Sequence, residues 1–333
     1  MPADYQWRHT ATSENTDGFY SFLNQTIINF RSEALITVTH RWNPAGDEMG
    51  IFNPHYFGVS YEAGVGYWAI VNVDGSPIPV GAAFDISAYQ QPWIGGFIHS
   101  ATPRNTYGNY TVINNPILNG RRDAVFFVTP RIPPPHGPLS AVDLSPFFKM
   151  KGSIVGGLPG AITVPLKIPV PVSAWPELNH PLGVWYDEST SRWNIFNQDY
   201  LSMYNRSSYN IEVLDYRTYG PHVEHVRVYV AEQSDHILEP VNYVDTVVDM
   251  DFPHQFMWVT SNISFRHANR QYTRFTSGRP DPRTIRAVPN PHPVGIWYNT
   301  ATLKPSVFNE DGAAMRRGCG FNIRHGGGGG SGR

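Results

Sequence analysis

The stretch GVWYDESTSRWNIFNQD, residues Gly183 to Asp199, contains two runs of alternating side chains separated by a polar segment. Successive side chains of a β-strand point to opposite faces, so Val184 and Tyr186 would share one face and Trp185 would lie on the other. The segment DESTS between the two runs has the polar composition of a turn. The stretch therefore predicts a β-hairpin.

Strings with the same layout begin at Gly58 and at Gly295, and the three blocks align without gaps as far as a final isoleucine. An earlier block also recurs, as HTATSENTDGFY from His9 and HSATPRNTYGNY from His99. Strand-like runs, EALITVTHR, DAVFFVTPR and FMWVTSN, lie between the two kinds of block. Ungapped recurrence of this kind indicates duplication. We interpret the chain as three tandem units, residues 1–90, 91–217 and 218–325, followed by a Gly-rich tail or linker at 326–333.

The composition favours strands and turns. The chain has 18 Tyr, 18 Phe and 9 Trp, with 30 Gly and 29 Pro, and only 16% of its residues are charged. We predict an all-β protein of three tandem antiparallel β-sandwich or barrel-like repeat units packed together. The connector inside each unit varies in length. Its longest version, at about residues 132–178, is an apolar Pro/Gly-rich insertion that we expect to pack on its own unit or on a neighbour.

Several classes of function are disfavoured. The net charge of -2 gives no electrostatic basis for binding nucleic acid or an anionic membrane surface. The single cysteine, Cys319, excludes an intramolecular disulfide and a cysteine-built metal site. The sequence has no run of about 18 apolar residues, the length that a membrane-spanning helix needs. The first residues do not have the pattern of a signal peptide. The sequence lacks the nucleophile-elbow, HExxH, P-loop and dinucleotide-binding motifs, so we predict no enzyme activity.

Three polar positions recur in every unit and are the candidate ligand-binding residues. A histidine precedes the shared glycine, and an asparagine and an aspartate end the second strand of the hairpin. They are His55, His180, His292, Asn72, Asn197, Asn309, Asp74, Asp199 and Asp311. Each position could instead be structural, because histidine can lock a proline turn and Asn or Asp can bond turn backbone. A Ca²⁺ site is a weaker possibility, since two oxygen side chains per unit are too few for an ion that takes about 6–8 oxygens. No other cofactor and no metal ligand set is predicted.

Trp185 and Trp297 occupy equivalent positions on the strand face opposite to Val184. If that face is exposed, the indole rings could stack on a sugar ring or anchor an interface. If a second layer covers it, they are core residues. Unit 1 has Ser60 at the same position, so any such site would be missing or different there.

The motifs, taken in order, resemble a known repeat domain. They are His-x-Ala-Thr-x-x-Asn-Thr, Val-Thr, Pro-His, Gly-Val-Trp-Tyr, Trp-x-Ile-Phe-Asn-Gln-Asp and a closing Phe-Asn-Ile. This order resembles an uncharacterised tandem-repeat β domain found in predicted bacterial extracellular proteins, and the resemblance covers most of the chain. It implies a tandem arrangement and an extracellular or cell-surface location, but no catalytic residues. Pro305 replaces the tryptophan seen at Trp68 and Trp193, so unit 3 departs from the pattern.

Low charge, many aromatic residues and repeated loop positions favour a non-catalytic extracellular protein that binds a glycan or a cell-surface polymer. Weak sites repeated along one chain would gain affinity through avidity. The alternative is a structural, self-assembling subunit of a surface layer or filament that associates through the 132–178 insertion. A hydrolase with a cleft between units is the least favoured hypothesis.

Overall fold

The computed structural model describes residues 5–47, 49–134, 175–214, 226–229, 243–245, 256–263, 288–301, 303–315 and 319–326. These residues form β-strands, with no α-helix and one short 3-10 helix, Pro176–Leu178. Unit 1 contains β1 Tyr5–Thr10, β2 Thr16–Asp17, β3 Tyr20–Leu23, β4 Leu35–Arg41, β5 Phe57–Glu62, β6 Tyr67–Asn72 and β7 Ala83–Tyr89. Unit 2 contains β8 Gly96–Ser100, β9 Thr106–Tyr107, β10 Tyr110–Ile113, β11 Val125–Arg131, β12 Leu182–Asp187, β13 Arg192–Asn197 and β14 Ser208–Leu214. Unit 3 contains β15 Val226–Tyr229, β16 Tyr243–Asp245, β17 Phe256–Asn262, β18 Val294–Asn299, β19 Lys304–Asn309 and β20 Gly320–Gly326.

The predicted hairpin is confirmed in all three units. It is β5–β6 in unit 1, β12–β13 in unit 2 and β18–β19 in unit 3, each antiparallel. In unit 2 the alternation separates the side that faces the core of the unit, because Val184, Trp193 and Ile195 all lie in one core cluster. The period-two pattern thus places one face of each hairpin against the core.

Each unit has a core of its own between two layers of strands. In unit 1, Trp68 and Ile70 of the hairpin layer pack with Ile36 and Phe84 of the β1–β7–β4 layer. Unit 2 repeats this arrangement, and a smaller cluster around Ile296 and Phe321 forms the core of unit 3. The all-β prediction is therefore confirmed, and the three cores are compatible with three units packed together.

The sheets cross the boundaries between the units, which the sequence did not indicate. Each of the three sheets takes strands from two units, in the orders β1-β7-β4-β18-β19-β16, β2-β3-β6-β5-β11-β14-β8 and β15-β20-β17-β12-β13-β10-β9. The strands at each junction run parallel: β4 beside β18, β11 beside β5, and β17 beside β12. Unit 1 joins unit 2, unit 2 joins unit 3, and unit 3 joins unit 1. The chain is therefore a closed ring with approximate threefold symmetry.

The ends of the long insertion pack on unit 1. Ile132 and Trp175 are buried against Phe19, Tyr20 and Phe22, on the face opposite the core of unit 1 of the sheet that runs from β2 to β8. Trp175 meets Phe19 edge-on, with 5.7 Å between the ring centroids. This agrees with the expectation that the insertion packs on a neighbouring unit. Residues 135–174, through which self-assembly was predicted, lie outside the described residues.

Equivalent buried polar residues form hydrogen bonds that join neighbouring units. Asn210 donates to the carbonyl of Ile36, and Asn322 donates to the carbonyl of Phe126. Unit 1 has Asp85 at this position, and a carboxylate can only accept, so it takes the backbone N–H of Met257 instead. Equivalent residues therefore form a hydrogen bond at all three junctions. The two asparagines donate to a backbone carbonyl, whereas the aspartate accepts from a backbone N–H.

Candidate functional site

A cavity of about 110 Å³ lies where the three units meet, and we call it the axial cavity. Equivalent residues of every unit line it, including the three recurrent histidines, His55, His180 and His292. The strands β4, β11 and β17 contact one another pairwise beneath it. Histidines that are far apart in sequence are thus brought to one place by ring closure.

Each histidine pairs with the aspartate of its own unit. The bonds from Nδ1 to Oδ2 are His55–Asp74 at 2.7 Å, His180–Asp199 at 2.7 Å and His292–Asp311 at 2.8 Å. The second oxygen of each aspartate accepts a backbone N–H two residues further on, from Ser76, Leu201 or Ala313. The aspartate therefore holds the turn and orients the histidine at the same time.

This pairing fixes the hydrogen-bonding character of the histidines. An ionised carboxylate can only accept, so Nδ1 carries the proton. In the neutral imidazole the other nitrogen, Nε2, is then an acceptor, and in the cation it is a donor. The three side chains are 26%, 12% and 22% exposed, so they are held by the fold and still reach solvent. In the described part of the chain no hydrogen bond engages Nε2 of any of them.

Tyr56 makes the rim of the cavity asymmetric. Units 2 and 3 have proline at the equivalent positions. The Tyr56 hydroxyl donates to the carbonyl of Pro291 at 3.1 Å, which links unit 1 to unit 3. Burial raises the pKa of Tyr56, and the negative charges of Asp311 and Asp199 raise it further. Aspartates of two other units thus lie close to this hydroxyl, as expected where the three units converge.

A sequence model of a domain of unknown function, DUF7452, matches residues 2–87, 58–141, 172–213 and 183–325. Together these overlapping matches extend over most of the chain. The chain belongs to the DUF7452 family. Repeated matches along one chain agree with the three repeat units seen in the fold. Comparison with curated proteins and with solved structures gives no match.

The recurrent asparagines of this DUF7452 protein lie inside the turn. Asn72, Asn197 and Asn309 are buried, and each donates to backbone carbonyls four or five residues further on. Asn72 also exchanges side-chain hydrogen bonds with Asn53, and Asn309 accepts one from Asn290. The side-chain nitrogens of all three are used within the protein, so they hold the turn that carries the His–Asp pair.

The two recurrent tryptophans do not line the axial cavity. Both are half-buried. Trp185 packs edge-on against Tyr110, with ring centroids 5.7 Å apart. Trp297 lies edge-on to both Trp42 and Tyr243 at 5.9 and 5.5 Å. The structure therefore does not bring the tryptophans and the histidines into one site.

Neither a metal cluster nor a membrane span emerges from the residues that the structure describes. No group of three or more His, Cys, Asp and Glu side chains is close enough together to hold an ion, so each histidine forms only a pair with its aspartate. No helix there is long and apolar enough to cross a membrane.

Sequence reasoning missed three further residues of the axial cavity. Thr39, Thr129 and Thr260 occupy equivalent positions in β4, β11 and β17, and all three line the cavity. The signal was present, because a Val-Thr pair recurs two residues before the end of the same strand-like run in every unit. The pairing of His with Asp had a signal too, since both residues recur in every unit with a constant separation of 19.

Proposed function

We propose that this DUF7452 protein is a non-catalytic extracellular module that binds a glycan at the mouth of the axial cavity. The observation that carries the proposal is the convergence of three oriented His–Asp pairs on one cavity. A binding site of this kind is concave and mostly apolar, with a few polar groups in fixed directions. The axial cavity combines these features.

The chemistry of the mouth suits hydroxyl-rich ligands. A neutral histidine whose Nδ1 proton is held by aspartate presents Nε2 as an acceptor for a sugar hydroxyl. The Nε2 atoms of the three histidines can together accept from several hydroxyl groups of one sugar ring. The site is then one composite surface, and affinity need not come from avidity among separate units.

The aspartates are engaged in a way that favours binding over hydrolysis. Glycoside hydrolysis needs a carboxylic acid and a second carboxylate free to act on the scissile bond. Both oxygens of Asp74 are already used, one by His55 and one by the N–H of Ser76. The same holds for Asp199 and Asp311.

The test is a glycan array followed by calorimetric titration with the best ligand. We expect binding by the full chain and a loss of about tenfold or more in affinity, or about 1.4 kcal/mol, in the variant His55→Ala/His180→Ala/His292→Ala. Trp185→Ala is the matched comparison, because Trp185 lies outside the cavity.

If the array shows no binding, the proposal is wrong. If Trp185→Ala abolishes binding while the histidine variant binds normally, the site lies on the outer face of the sheet and the axial assignment is overturned. Thermal melting of each variant checks that the fold is retained. Fractionation of the source cells tests the extracellular location.

A further inference from the structure

The floor of the axial cavity is a closed ring of three threonines, which we call the threonine ring. Thr39, Thr129 and Thr260 are only 3%, 2% and 7% exposed. Each Oγ1 accepts a backbone N–H from a valine of another unit. The bonds are Val38 to Thr129 at 3.0 Å, Val128 to Thr260 at 3.1 Å and Val259 to Thr39 at 3.1 Å. Each unit gives one donor and one acceptor, so the ring closes after three bonds.

This arrangement leaves three hydroxyl protons to be accounted for. A threonine hydroxyl has one O–H donor, and an oxygen that accepts an N–H on one side must direct its own proton elsewhere. Among the described residues, none of the three hydroxyls donates a hydrogen bond to an acceptor. All three side chains line the cavity and are more than nine-tenths buried. A buried donor without a partner costs about 1–3 kcal/mol, so the cavity favours an occupant that supplies acceptor oxygens.

The rest of the lining decides what kind of acceptor fits. Apolar residues make up much of the rest of the lining, among them Phe57, Val184 and Val294. No lysine or arginine is among the described lining residues, and three aspartates lie at the rim beside their histidines. An anion would therefore meet aspartate charge without a lysine or arginine to balance it. A small neutral group with an acceptor oxygen and an apolar part suits the cavity better.

We propose that the axial cavity binds the acetamido group of an N-acetylated sugar, an inference that rests on the proposed glycan-binding function. The carbonyl oxygen accepts from the threonine ring, and the methyl group packs on apolar lining residues such as Val184 and Val294. The amide N–H is directed to the rim, where a histidine Nε2 accepts it. An engineered cavity of about 150 Å³ holds benzene, so about 110 Å³ has room for this smaller group.

The experiment is a titration of the full chain, followed by NMR, with four probes. They are N-acetylglucosamine, glucose, acetamide and N-acetyl-lysine. We expect N-acetylglucosamine to bind and glucose to bind at least about tenfold more weakly, because glucose has no acetamido group. Nuclear Overhauser contacts should connect the acetyl methyl protons with the valine methyl groups of the cavity.

Variants of the threonine ring provide the second arm. Thr129→Val removes one hydroxyl at constant shape and should weaken N-acetylglucosamine binding about tenfold. Thr129→Ser keeps the hydroxyl and should bind like the wild type. Thr190→Val, an exposed threonine in the β12–β13 turn, is the surface control. If Thr129→Val does not fold, the Overhauser contacts in the wild-type protein still decide the location.

The outcomes separate this inference from the proposed function. Equal binding of glucose and N-acetylglucosamine, or full affinity in Thr129→Val, overturns the acetamido assignment and leaves glycan binding standing. Binding of acetamide and N-acetyl-lysine without binding of any glycan overturns the glycan function and makes the threonine ring a site for acetylated peptides. Overhauser contacts to residues outside the cavity overturn the axial location.

Discussion

His9 and His99 are equivalent residues of units 1 and 2, and both are buried as neutral groups. The Nε2 atom of His9 lies 2.7 Å from Ser21 Oγ, and that of His99 lies 2.9 Å from Thr111 Oγ1. Burial disfavours the imidazolium ion and lowers the pKa of each histidine to about 4. Each histidine therefore joins β1 to β3, or β8 to β10, as a buried neutral group, and burial is what opposes its charging.

We expect stability to fall as the pH drops from 6.5 towards 4. In this window the unfolded chain binds protons at both histidines, since the ordinary value is 6.5, while the folded protein does not. One unit of pKa corresponds to about 1.4 kcal/mol, so each histidine contributes a loss of about 3 kcal/mol across the window. Urea unfolding at a series of pH values measures it.

The variants His9→Gln and His99→Gln isolate this effect. Glutamine does not titrate, so the difference between the curves of wild type and variant removes the contribution of the carboxylates. The wild-type curve should be steeper between pH 6.5 and 4 and parallel to the variant curve at higher pH. Parallel curves throughout would mean that these histidines do not titrate as described.

The shared glycine of each hairpin is tightly surrounded, by another unit at Gly58 and by groups of its own unit at Gly183 and Gly295. A Cβ atom on Gly58 would lie 2.7 Å from both the carbonyl oxygen of Pro130 and Cγ1 of Ile132, at the junction of β5 with β11. On Gly183 it would lie 2.8 Å from the ring of Phe196. Glycine recurs here because the neighbouring groups leave no room for a side chain.

Gly58→Ala should therefore destabilise the protein by about 1–3 kcal/mol through overpacking at the junction. Gly64→Ala is the matched control in the same hairpin, because Gly64 is exposed and a Cβ there meets nothing within 4 Å. The control should stay within about 0.5 kcal/mol of the wild type in chemical denaturation. Equal effects of the two substitutions would contradict the crowding argument.

The hairpins were predictable because their signal is local. Period-two alternation in GVWY and RWNIF separated the two faces of the hairpin, and Val184, Trp193 and Ile195 do pack together in the core of unit 2. The parallel junctions had no local signal, because β5 pairs with β11 through residues far away in sequence. The Val-Thr pair recurs in the sequence, but the hydrogen bonds of the threonine ring had no local signal: Thr129 accepts from the N–H of Val38, which lies 91 positions away. Recurrence marked the candidate histidines, but only ring closure shows that they face one cavity.

Ring closure brings equivalent positions of the three units close together at the centre of the molecule. The three repeats carry different side chains there, so that like charges do not meet. Ser87, Glu212 and Arg324 occupy equivalent positions in β7, β14 and β20. Glu212 is fully buried and pairs with Arg324, while the hydroxyls of Thr37, Ser87 and Tyr89 also donate to it. Three identical charges at this position would repel one another without water to screen them. Copies within one chain can diverge, so glutamate and arginine can stand opposite each other.

This central pair should be strongly coupled in stability. Glu212→Met leaves the buried guanidinium of Arg324, which lies 4.6 Å from the Trp258 ring, without its carboxylate. Breaking a buried pair on one side costs about 3–5 kcal/mol, whereas replacing both partners with apolar residues of similar volume is often nearly neutral. We therefore expect Glu212→Met/Arg324→Met to be more stable than Glu212→Met alone. Chemical denaturation of both single variants and the double variant gives the coupling energy.

Because every sheet contains strands of two units, the wild type and each of these variants should unfold in a single transition. Additive losses would show that the pair does not join the units, and separate transitions would show that the units fold independently.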